Sequence, residues 1–148
     1  MILAARKPVI YVGGGVNLSD ASAELMEFAE LVQAPVTTTL MAMACFPKRH
    51  PLSLGMLGMH GTYYANMAIT NADLLIAVGA RFDDRVTGKI ATFAPHAKII
   101  HVDIDPDEIA RNYPVALGLM ADVRTFLRQL HEELDIRKAQ SPAARAAW

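Results

Sequence analysis

Glycine, hydroxyl and carboxylate residues recur in this sequence at one kind of position, directly after short apolar runs. Gly13, Gly14 and Gly15 follow the apolar residues 9–12, and Gly79 follows residues 74–78. Glycine lets a backbone approach a ligand closely, and the free N–H groups of a following helix attract phosphate. Each glycine alone is equally consistent with an ordinary turn. Together they predict a site for a phosphate-bearing dinucleotide.

A charged turn follows Gly79. Residues 81–85 hold two arginines and two aspartates: Arg81, Asp83, Asp84 and Arg85. Guanidinium groups pair well with phosphates, and neighbouring carboxylates can hold the guanidinium groups in place. The adjacent aspartates lack a partner nucleophile, so we interpret the turn as a binding feature and not as an acid–base pair. A solvated loop is the alternative.

The triple glycine departs from the standard NAD fingerprint. Its sixth position is Leu18, and the acidic residue expected about 20 residues further on is missing. The candidates for binding ribose hydroxyls come later, at Asp103 and Asp105, which are two apart and therefore point the same way on a strand. Asp105 is better explained as a helix N-cap, whereas Asp103 has no such local role.

The sequence disfavours a metal centre and nucleophilic catalysis. The five histidines show no helical i,i+4 pair, and Cys45 is the only cysteine, so a thiolate zinc site cannot be assembled. No base can be named that would activate Cys45. We therefore predict no metal ligand and no catalytic residue in this chain. His60, in a glycine-bracketed loop, is the histidine expected near a ligand.

Apolar β-branched runs alternate with segments of helical period. This alternation predicts an α/β fold, a Rossmann-like doubly wound parallel sheet of five to six strands with helices on both faces. Ligands of such sheets bind beyond the carboxyl ends of the strands, where the residues above lie. A long loop over residues 41–60 is expected to be functional. The predicted strands are residues 9–12, 36–39, 74–78, 99–104 and 115–119, and the predicted helices begin at about Asp20 (capped by Ser19 or Asp20), at Thr62, at Asp105 and at about Asp122.

Composition limits the class of protein. The chain is 53% hydrophobic and 20% charged with a net charge of -1, which excludes disorder and disfavours nucleic acid as a partner. The apolar runs are only strand-sized, so no membrane span is predicted. A single cysteine favours a reducing, cytoplasmic location. We expect residues 1–136 to form one domain, with 137–148 a linker or truncated tail, the whole excised from a longer protein.

Between about Lys7 and Leu130 the sequence resembles the large subunits of acetohydroxyacid synthase (acetolactate synthase). The first matching motif is shared with other thiamine-diphosphate enzymes, and the second and third are close to diagnostic. The motifs are Tyr11-Val12-Gly13-Gly14-Gly15, Gly55-Met56-Leu57-Gly58-Met59-His60-Gly61, Gly79-Ala80-Arg81-Phe82-Asp83-Asp84-Arg85, Val86-Thr87-Gly88-Lys89 and His101-Val102-Asp103-Ile104-Asp105. The resemblance implies a central FAD-binding domain, whose flavin takes no net redox part in the main reaction.

The resemblance also implies which residues contact FAD. Gly13, Gly14, Gly15, Thr39 and Leu40 would approach the dinucleotide. The flavin half would lie along Leu57, Gly58, Met59, His60, Gly79, Ala80, Arg81 and Asp83, and the adenosine half along Asp103, Ile104, Asp122 and Val123. Met59, Asp84 and Arg85 match positions that line the substrate channel.

The family's catalytic machinery is absent from this stretch of sequence. The glutamate that activates thiamine diphosphate belongs to an N-terminal domain, and the Gly-Asp-Gly motif that holds Mg²⁺ and diphosphate belongs to a C-terminal domain; no Gly-Asp dipeptide occurs here. The parent enzyme would condense pyruvate with a second 2-oxo acid in branched-chain amino-acid biosynthesis, whereas this chain alone is expected to be inactive. The implied partners are the flanking thiamine-diphosphate-binding domains, further catalytic subunits in a homo-oligomer, and a small regulatory subunit.

Three alternatives remain at the level of sequence. One is a non-catalytic nucleotide-binding module such as a ligand sensor. Another is the central domain of a different thiamine-diphosphate enzyme. A sirtuin-like NAD-dependent deacylase is the third, but the single cysteine argues against it because its usual four-cysteine zinc module cannot be built.

Overall fold

A computed structural model describes residues 1–140, with side chains described to residue 135. Its six strands form one all-parallel sheet in the order β3-β2-β1-β4-β5-β6, the order of dinucleotide-binding folds. The predicted fold class is therefore confirmed. The strands are β1 Pro8–Val12, β2 Val36–Thr38, β3 Ser53–Met56, β4 Leu74–Val78, β5 Lys98–Asp103 and β6 Leu117–Met120, and the helices are α1 Gly15–Leu18, α2 Ser22–Val32, α3 Tyr63–Asn71, α4 Asp84–Thr87 and α5 Val123–Gln140.

The two central strands are buried on both faces, which explains their unbroken apolar sequences. Alternate side chains enter two separate cores. One core packs Ile10 and Ile76 against Phe28 of α2 and Leu127 of α5. The opposite core packs Val9, Leu75 and Ile99 against Ala65 and Ile69 of α3.

A buried carboxylate joins the two helices of the first core. Glu24 Oε1 on α2 accepts hydrogen bonds from Arg124 Nε at 2.8 Å and Arg128 Nε at 2.9 Å, both on α5. The hydrogen bond from Arg124 is the main reason why the pKa of Glu24 lies below its ordinary value of 4.5. Glu24 is 8% exposed, whereas the side chains of Arg124 and Arg128 are 40% and 58% exposed, so only the carboxylate half of this ion pair is withdrawn from water.

The predicted loop over residues 41–60 contains a strand, so that prediction was wrong. Strand β3 pairs with β2 across an irregular register, and Thr37 Oγ1 donates to Gly55 O at 2.9 Å. Gly55 has φ +77, a conformation that glycine adopts without strain. Short edge strands interrupted by glycine lack the apolar alternation by which strands are predicted.

The helix predicted at Asp105 does not form. Asp105 Oδ1 instead accepts a hydrogen bond from the Asp107 N–H at 3.0 Å, closing a turn. Aspartate side chains compete in this way with helical hydrogen bonding. The predicted cap at Ser19 or Asp20 is also wrong, because α2 begins at Ser22. Ser19 Oγ donates back to Gly15 O at 2.8 Å, and Asp20 has φ 50.

The other predicted strands and helices form and differ from the predictions only at their ends, whereas the short helices α1 and α4 were not predicted. The boundary of the domain at residue 136 stays a prediction, while α5 extends to Gln140. The part of the predicted tail at 141–148 lies outside the described residues. Among residues 1–140, no helix is long and apolar enough to cross a membrane.

Replacing Glu24 by glutamine should destabilise the domain in a pH-dependent way. At pH 7 the loss of the ion pair should lower the free energy of unfolding by about 1 kcal/mol, because the arginines remain partly in water. A carboxyl with a lowered pKa contributes stability above its unfolded pKa and loses it as the pH falls through the folded one. The difference between wild type and Glu24→Gln should therefore shrink below about pH 4.5.

Urea unfolding monitored by circular dichroism from pH 7 to pH 3 measures this difference. Glu27→Gln is the matched control, because Glu27 lies on the same helix and forms no ion pair within the described part of the chain. A Glu24→Gln penalty that does not change with pH would contradict the assignment.

Candidate functional site

The crevice of this sheet lies between β1 and β4, where the chain turns towards opposite edges of the sheet. Two backbone hydrogen bonds join the ends of these strands. The Gly13 N–H donates to Val78 O at 3.1 Å, and the Gly15 N–H donates to Gly79 O at 3.0 Å. The triple-glycine turn therefore packs directly on the turn that follows β4.

The glycines of this contact have different roles. A Cβ on Gly13 would lie 2.0 Å from Gly79 O, and one on Gly15 would lie 2.7 Å from Gly79 Cα. Both positions therefore need glycine for packing alone, a role that sequence reasoning missed. Gly14 has φ -59, and the atom nearest to its added Cβ is the Cβ of Met41 at 3.2 Å. Gly14 is thus the glycine that packing constrains least.

Two buried polar side chains fix the backbone after Gly79. Tyr11 Oη donates to Arg81 O at 2.9 Å, and His101 Nε2 lies 2.9 Å from Ala80 O. Burial raises the pKa of Tyr11 far above its ordinary value and lowers the pKa of His101, so both groups stay neutral. Because a carbonyl only accepts, His101 Nε2 carries the proton of its hydrogen bond.

Neither residue was among the predicted site residues, although a signal was present. Tyr11 and His101 are polar residues inside apolar strands, and both are in register with Ala77 of β4. They therefore lie on one face of the sheet, on either side of Ala77. The Phe82 ring packs between them, with ring centroids 5.6 Å from Tyr11 and 5.1 Å from His101.

The acids of the charged turn do not hold Arg81. Asp83 Oδ1 accepts from the Val86 N–H at 3.1 Å and so caps α4. Asp84 pairs instead with Arg85: its Oδ2 lies 3.9 Å from Arg85 Nε, and both side chains are exposed. Among the described residues Arg81 forms no ion pair, and its side chain is exposed. The guanidinium of Arg81 is therefore available to an anion, contrary to the arrangement expected from sequence.

The late acids lie at the ends of β5 and β6. Asp103 Oδ1 accepts from the Asp105 N–H at 3.0 Å, which gives it the local role that the sequence had not suggested. Asp105 lies beyond the strand, so the two carboxylates do not share a strand face. Asp122 Oδ1 accepts from the Thr125 N–H at 2.9 Å and caps α5. The side chain of Val123 is buried, leaving only its backbone accessible to a ligand.

Large apolar side chains are exposed along the same edge of the sheet. Leu40, Met59 and Ile104 follow β2, β3 and β5 and are 70%, 68% and 70% exposed. Met41 and Met120 lie at the same edge and are as exposed. By contrast, Leu57 and Ala80 are buried and can offer only backbone. Exposed apolar groups gathered at one edge mark a surface that contacts a ligand or another protein segment.

Two further predicted site residues, Thr39 and His60, differ in burial: the Thr39 hydroxyl is buried and the His60 side chain is exposed. Thr39 donates its N–H to Val12 O at 2.8 Å, beside the triple glycine, and its Oγ1 is buried without a hydrogen-bond partner among the described residues. A buried hydroxyl without a partner is uncommon. His60 is exposed.

A cavity of about 260 Å³ lies between α3, α4 and the loop after β3. Met59, Asp84 and Arg85 all line it, together with Gly58 and Asn66. The three residues predicted to line a substrate channel are thus brought together in one concave surface. Elsewhere within the described residues, no three His, Cys, Asp or Glu side chains cluster as metal ligands.

The sequence matches a known protein family over most of its length. Residues 1–130 match the family described as "Thiamine pyrophosphate enzyme, central domain". The chain belongs to this family. Membership disfavours the sirtuin-like alternative and agrees with the motifs at the crevice.

Within this family, the chain is similar to individual acetolactate synthases. The chain is 56% identical to acetolactate synthase of Mycobacterium avium over 134 residues, covering 90% of this chain and 22% of that protein. It is 53% identical to the acetolactate synthase large subunit of Corynebacterium glutamicum over 141 residues, covering 95% of this chain and 22% of that protein. The chain therefore spans about a fifth of the length of these curated relatives.

A solved structure is also similar to this central domain. It is the X-ray structure of a proposed thiamin diphosphate-dependent enzyme isolated from Mycobacterium smegmatis. The TM-score is 0.71 at 30% sequence identity, and the match covers 88% of this chain and 25% of that one. The similarity of fold therefore extends over most of this chain.

Substitutions at two adjacent glycines should separate packing from the open part of the turn. Gly13→Ala should lower the free energy of unfolding by about 3 kcal/mol or prevent folding, because the new methyl group overlaps the backbone of Gly79. Gly14→Ala should change it by less than about 1 kcal/mol. Thermal unfolding of both variants makes the comparison, and equal losses would contradict the packing described above.

Proposed function

We propose that this central domain binds FAD in the crevice between β1 and β4. The observation that carries the proposal is the combination, at one sheet edge, of a glycine turn, a guanidinium that forms no ion pair among the described residues, and several exposed apolar side chains. A dinucleotide with a flat ring system offers a matching surface, since it presents phosphates to the polar groups and aromatic faces to the apolar ones.

The residues at the crevice fit such a ligand. Gly14 has no side chain, which lets a ligand approach its backbone closely, and the exposed Arg81 supplies a positive charge for the diphosphate. The unpartnered hydroxyl of Thr39 is a buried polar group of the kind that a ligand satisfies. Asp103 and Asp122 each use one carboxylate oxygen in a turn or a cap, leaving the other to accept from ribose hydroxyls.

We assign the predicted contacts to three regions of the ligand. The dinucleotide backbone approaches Gly13, Gly14, Gly15, Thr39 and Leu40. The flavin half lies along Leu57, Gly58, Met59, His60, Gly79, Ala80, Arg81 and Asp83, and the adenosine half along Asp103, Ile104, Asp122 and Val123. The buried members of this set, Leu57, Ala80 and Val123, contribute backbone groups only.

We further propose that the parent protein is an acetolactate synthase large subunit. The identities of 53–56% to such enzymes support this. Thiamine diphosphate and Mg²⁺ would be held by the flanking domains, and FAD would take no net redox part in the condensation of pyruvate with a second 2-oxo acid. Met59, Asp84 and Arg85 would line the substrate channel. A cytoplasmic location, a homo-oligomer of catalytic subunits and a small regulatory subunit belong to the same proposal.

Arg81 and Arg85 should differ in their effect on flavin affinity. A charge-assisted contact contributes roughly 1.5–3 kcal/mol, so Arg81→Ala should weaken FAD binding by about ten- to a hundredfold. Arg85→Ala should leave the affinity nearly unchanged, because Arg85 faces the cavity beside α4. Titration followed by flavin fluorescence measures both dissociation constants.

NAD is the matched control ligand for this titration. Binding of NAD as tight as that of FAD would favour a general nucleotide-binding module. Equal losses of FAD affinity at the two arginines would show that their proposed roles are not distinct.

The chain alone should form no acetolactate from pyruvate, even with thiamine diphosphate, Mg²⁺ and FAD supplied. Positioning of thiamine diphosphate is the basis of the reaction, and this chain has neither the glutamate nor the Gly-Asp-Gly motif for it. A colorimetric acetolactate assay against a protein-free blank tests this, with a full-length acetolactate synthase as positive control. Product above the blank would refute the assignment of the chemistry to other domains.

A further inference from the structure

We infer that Asn66 of α3 is a positioning residue, which holds the loop at residues 57–61 in the shape that presents Met59 to the flavin and to the cavity. Asn66 is not among the residues predicted to touch a ligand. The part of this inference that concerns FAD rests on the function proposed above. The part that concerns the loop rests on geometry alone.

The side chain of Asn66 binds both backbone groups of one residue. Its Oδ1 accepts from the Gly58 N–H at 3.0 Å, and its Nδ2 donates to Gly58 O at 3.1 Å. A carboxamide is the side-chain group that accepts and donates at once in this way. Nδ2 also donates to Thr62 O, one turn earlier, at 3.1 Å. Aspartate would keep the first hydrogen bond to Gly58 and lose the two that Nδ2 donates, and alanine would lose all three.

The backbone of α4 holds the loop from its other side. The Met59 N–H donates to Arg85 O at 3.1 Å. A Cβ on Gly58 would lie 2.6 Å from Arg85 O, and Gly58 has φ +93. The loop is therefore confined between Asn66 and Arg85, and its conformation at residue 58 requires glycine both for its positive φ and for the close approach to Arg85.

This confinement connects the two proposed binding regions. Gly58, Met59 and Arg85 line the 260 Å³ cavity, and Asn66 lies in its wall. Met59 is 68% exposed, so little besides the backbone of the loop determines where its side chain lies. A shift of the Gly58 peptide would displace Met59 relative to both regions.

The test compares Asn66→Ala with Asn71→Ala in the complete 148-residue chain. Asn71 is the matched control, because it lies on the same helix and, within the described residues, its Nδ2 donates only to Met67 O, at 2.8 Å. Hydrogen exchange of the Gly58 and Met59 amides should accelerate by about tenfold or more in Asn66→Ala, while exchange in β1 and β4 stays unchanged. The affinity for FAD should fall by about tenfold. Asn71→Ala should change neither quantity.

Asn66→Asp separates the two hydrogen bonds. It should retain most of the protection of the Gly58 amide, yet weaken FAD binding, since its carboxylate repels Gly58 O. Unchanged exchange of the Gly58 amide in Asn66→Ala would overturn the inference whatever happens to flavin. Faster exchange with unaltered FAD affinity would make Asn66 a structural residue and overturn its positioning role. If the wild-type chain binds no FAD, the proposed function fails together with the flavin part of this inference, while exchange still decides whether Asn66 fixes the loop.

Discussion

The contact between the ends of β1 and β4 is the constraint on which the crevice depends. A Cβ at Gly13 would lie 2.0 Å from Gly79 O, so the two turns can approach only where both lack side chains. This approach allows Tyr11 and His101 to reach the carbonyls of Arg81 and Ala80 from below. The guanidinium of Arg81 is consequently carried by a backbone that is fixed at two consecutive peptides, while the side chain itself stays exposed.

The strands buried on both faces could be predicted from sequence, and those at the edge could not. Strand β4 consists of five buried apolar residues and is read directly as a strand. Strand β3 has only half-buried residues and a glycine at φ +77, so its sequence lacks the pattern of a strand. It is recognised only from its pairing with β2, to which Thr37 adds a side-chain hydrogen bond to Gly55 O. The helix predicted at Asp105 does not form, because the Asp105 carboxylate accepts a hydrogen bond from the Asp107 N–H and stabilises a turn.

The location of the candidate site could be predicted, but the partners of its side chains could not. Parallel strands bring their carboxyl ends to one edge, so the glycines and acids had to meet there. Which group an acid binds depends on distances of a few ångströms that sequence spacing does not encode. Asp83 was expected to hold an arginine and instead caps α4. Asn66 gave no signal at all, because an asparagine within a helix is ordinary until the loop beside it is known.

The side-chain amides of Asn17 and Asn66 each bind backbone groups of a loop at the crevice. The loops after β2 and β3 carry exposed methionines and lie beyond the ladder that satisfies backbone groups elsewhere in the sheet. Asn17 Nδ2 donates to Met41 O at 2.7 Å while its Oδ1 accepts from the Cys45 thiol at 3.0 Å. Asn66 binds two backbone groups, because it donates to Gly58 O and accepts from the Gly58 N–H. A carboxamide suits both places because it satisfies a donor and an acceptor without adding charge. Met41 and Met59 therefore lie in loops whose backbone is hydrogen-bonded to an asparagine of a neighbouring helix. The exposure of their side chains does not require that these loops be mobile.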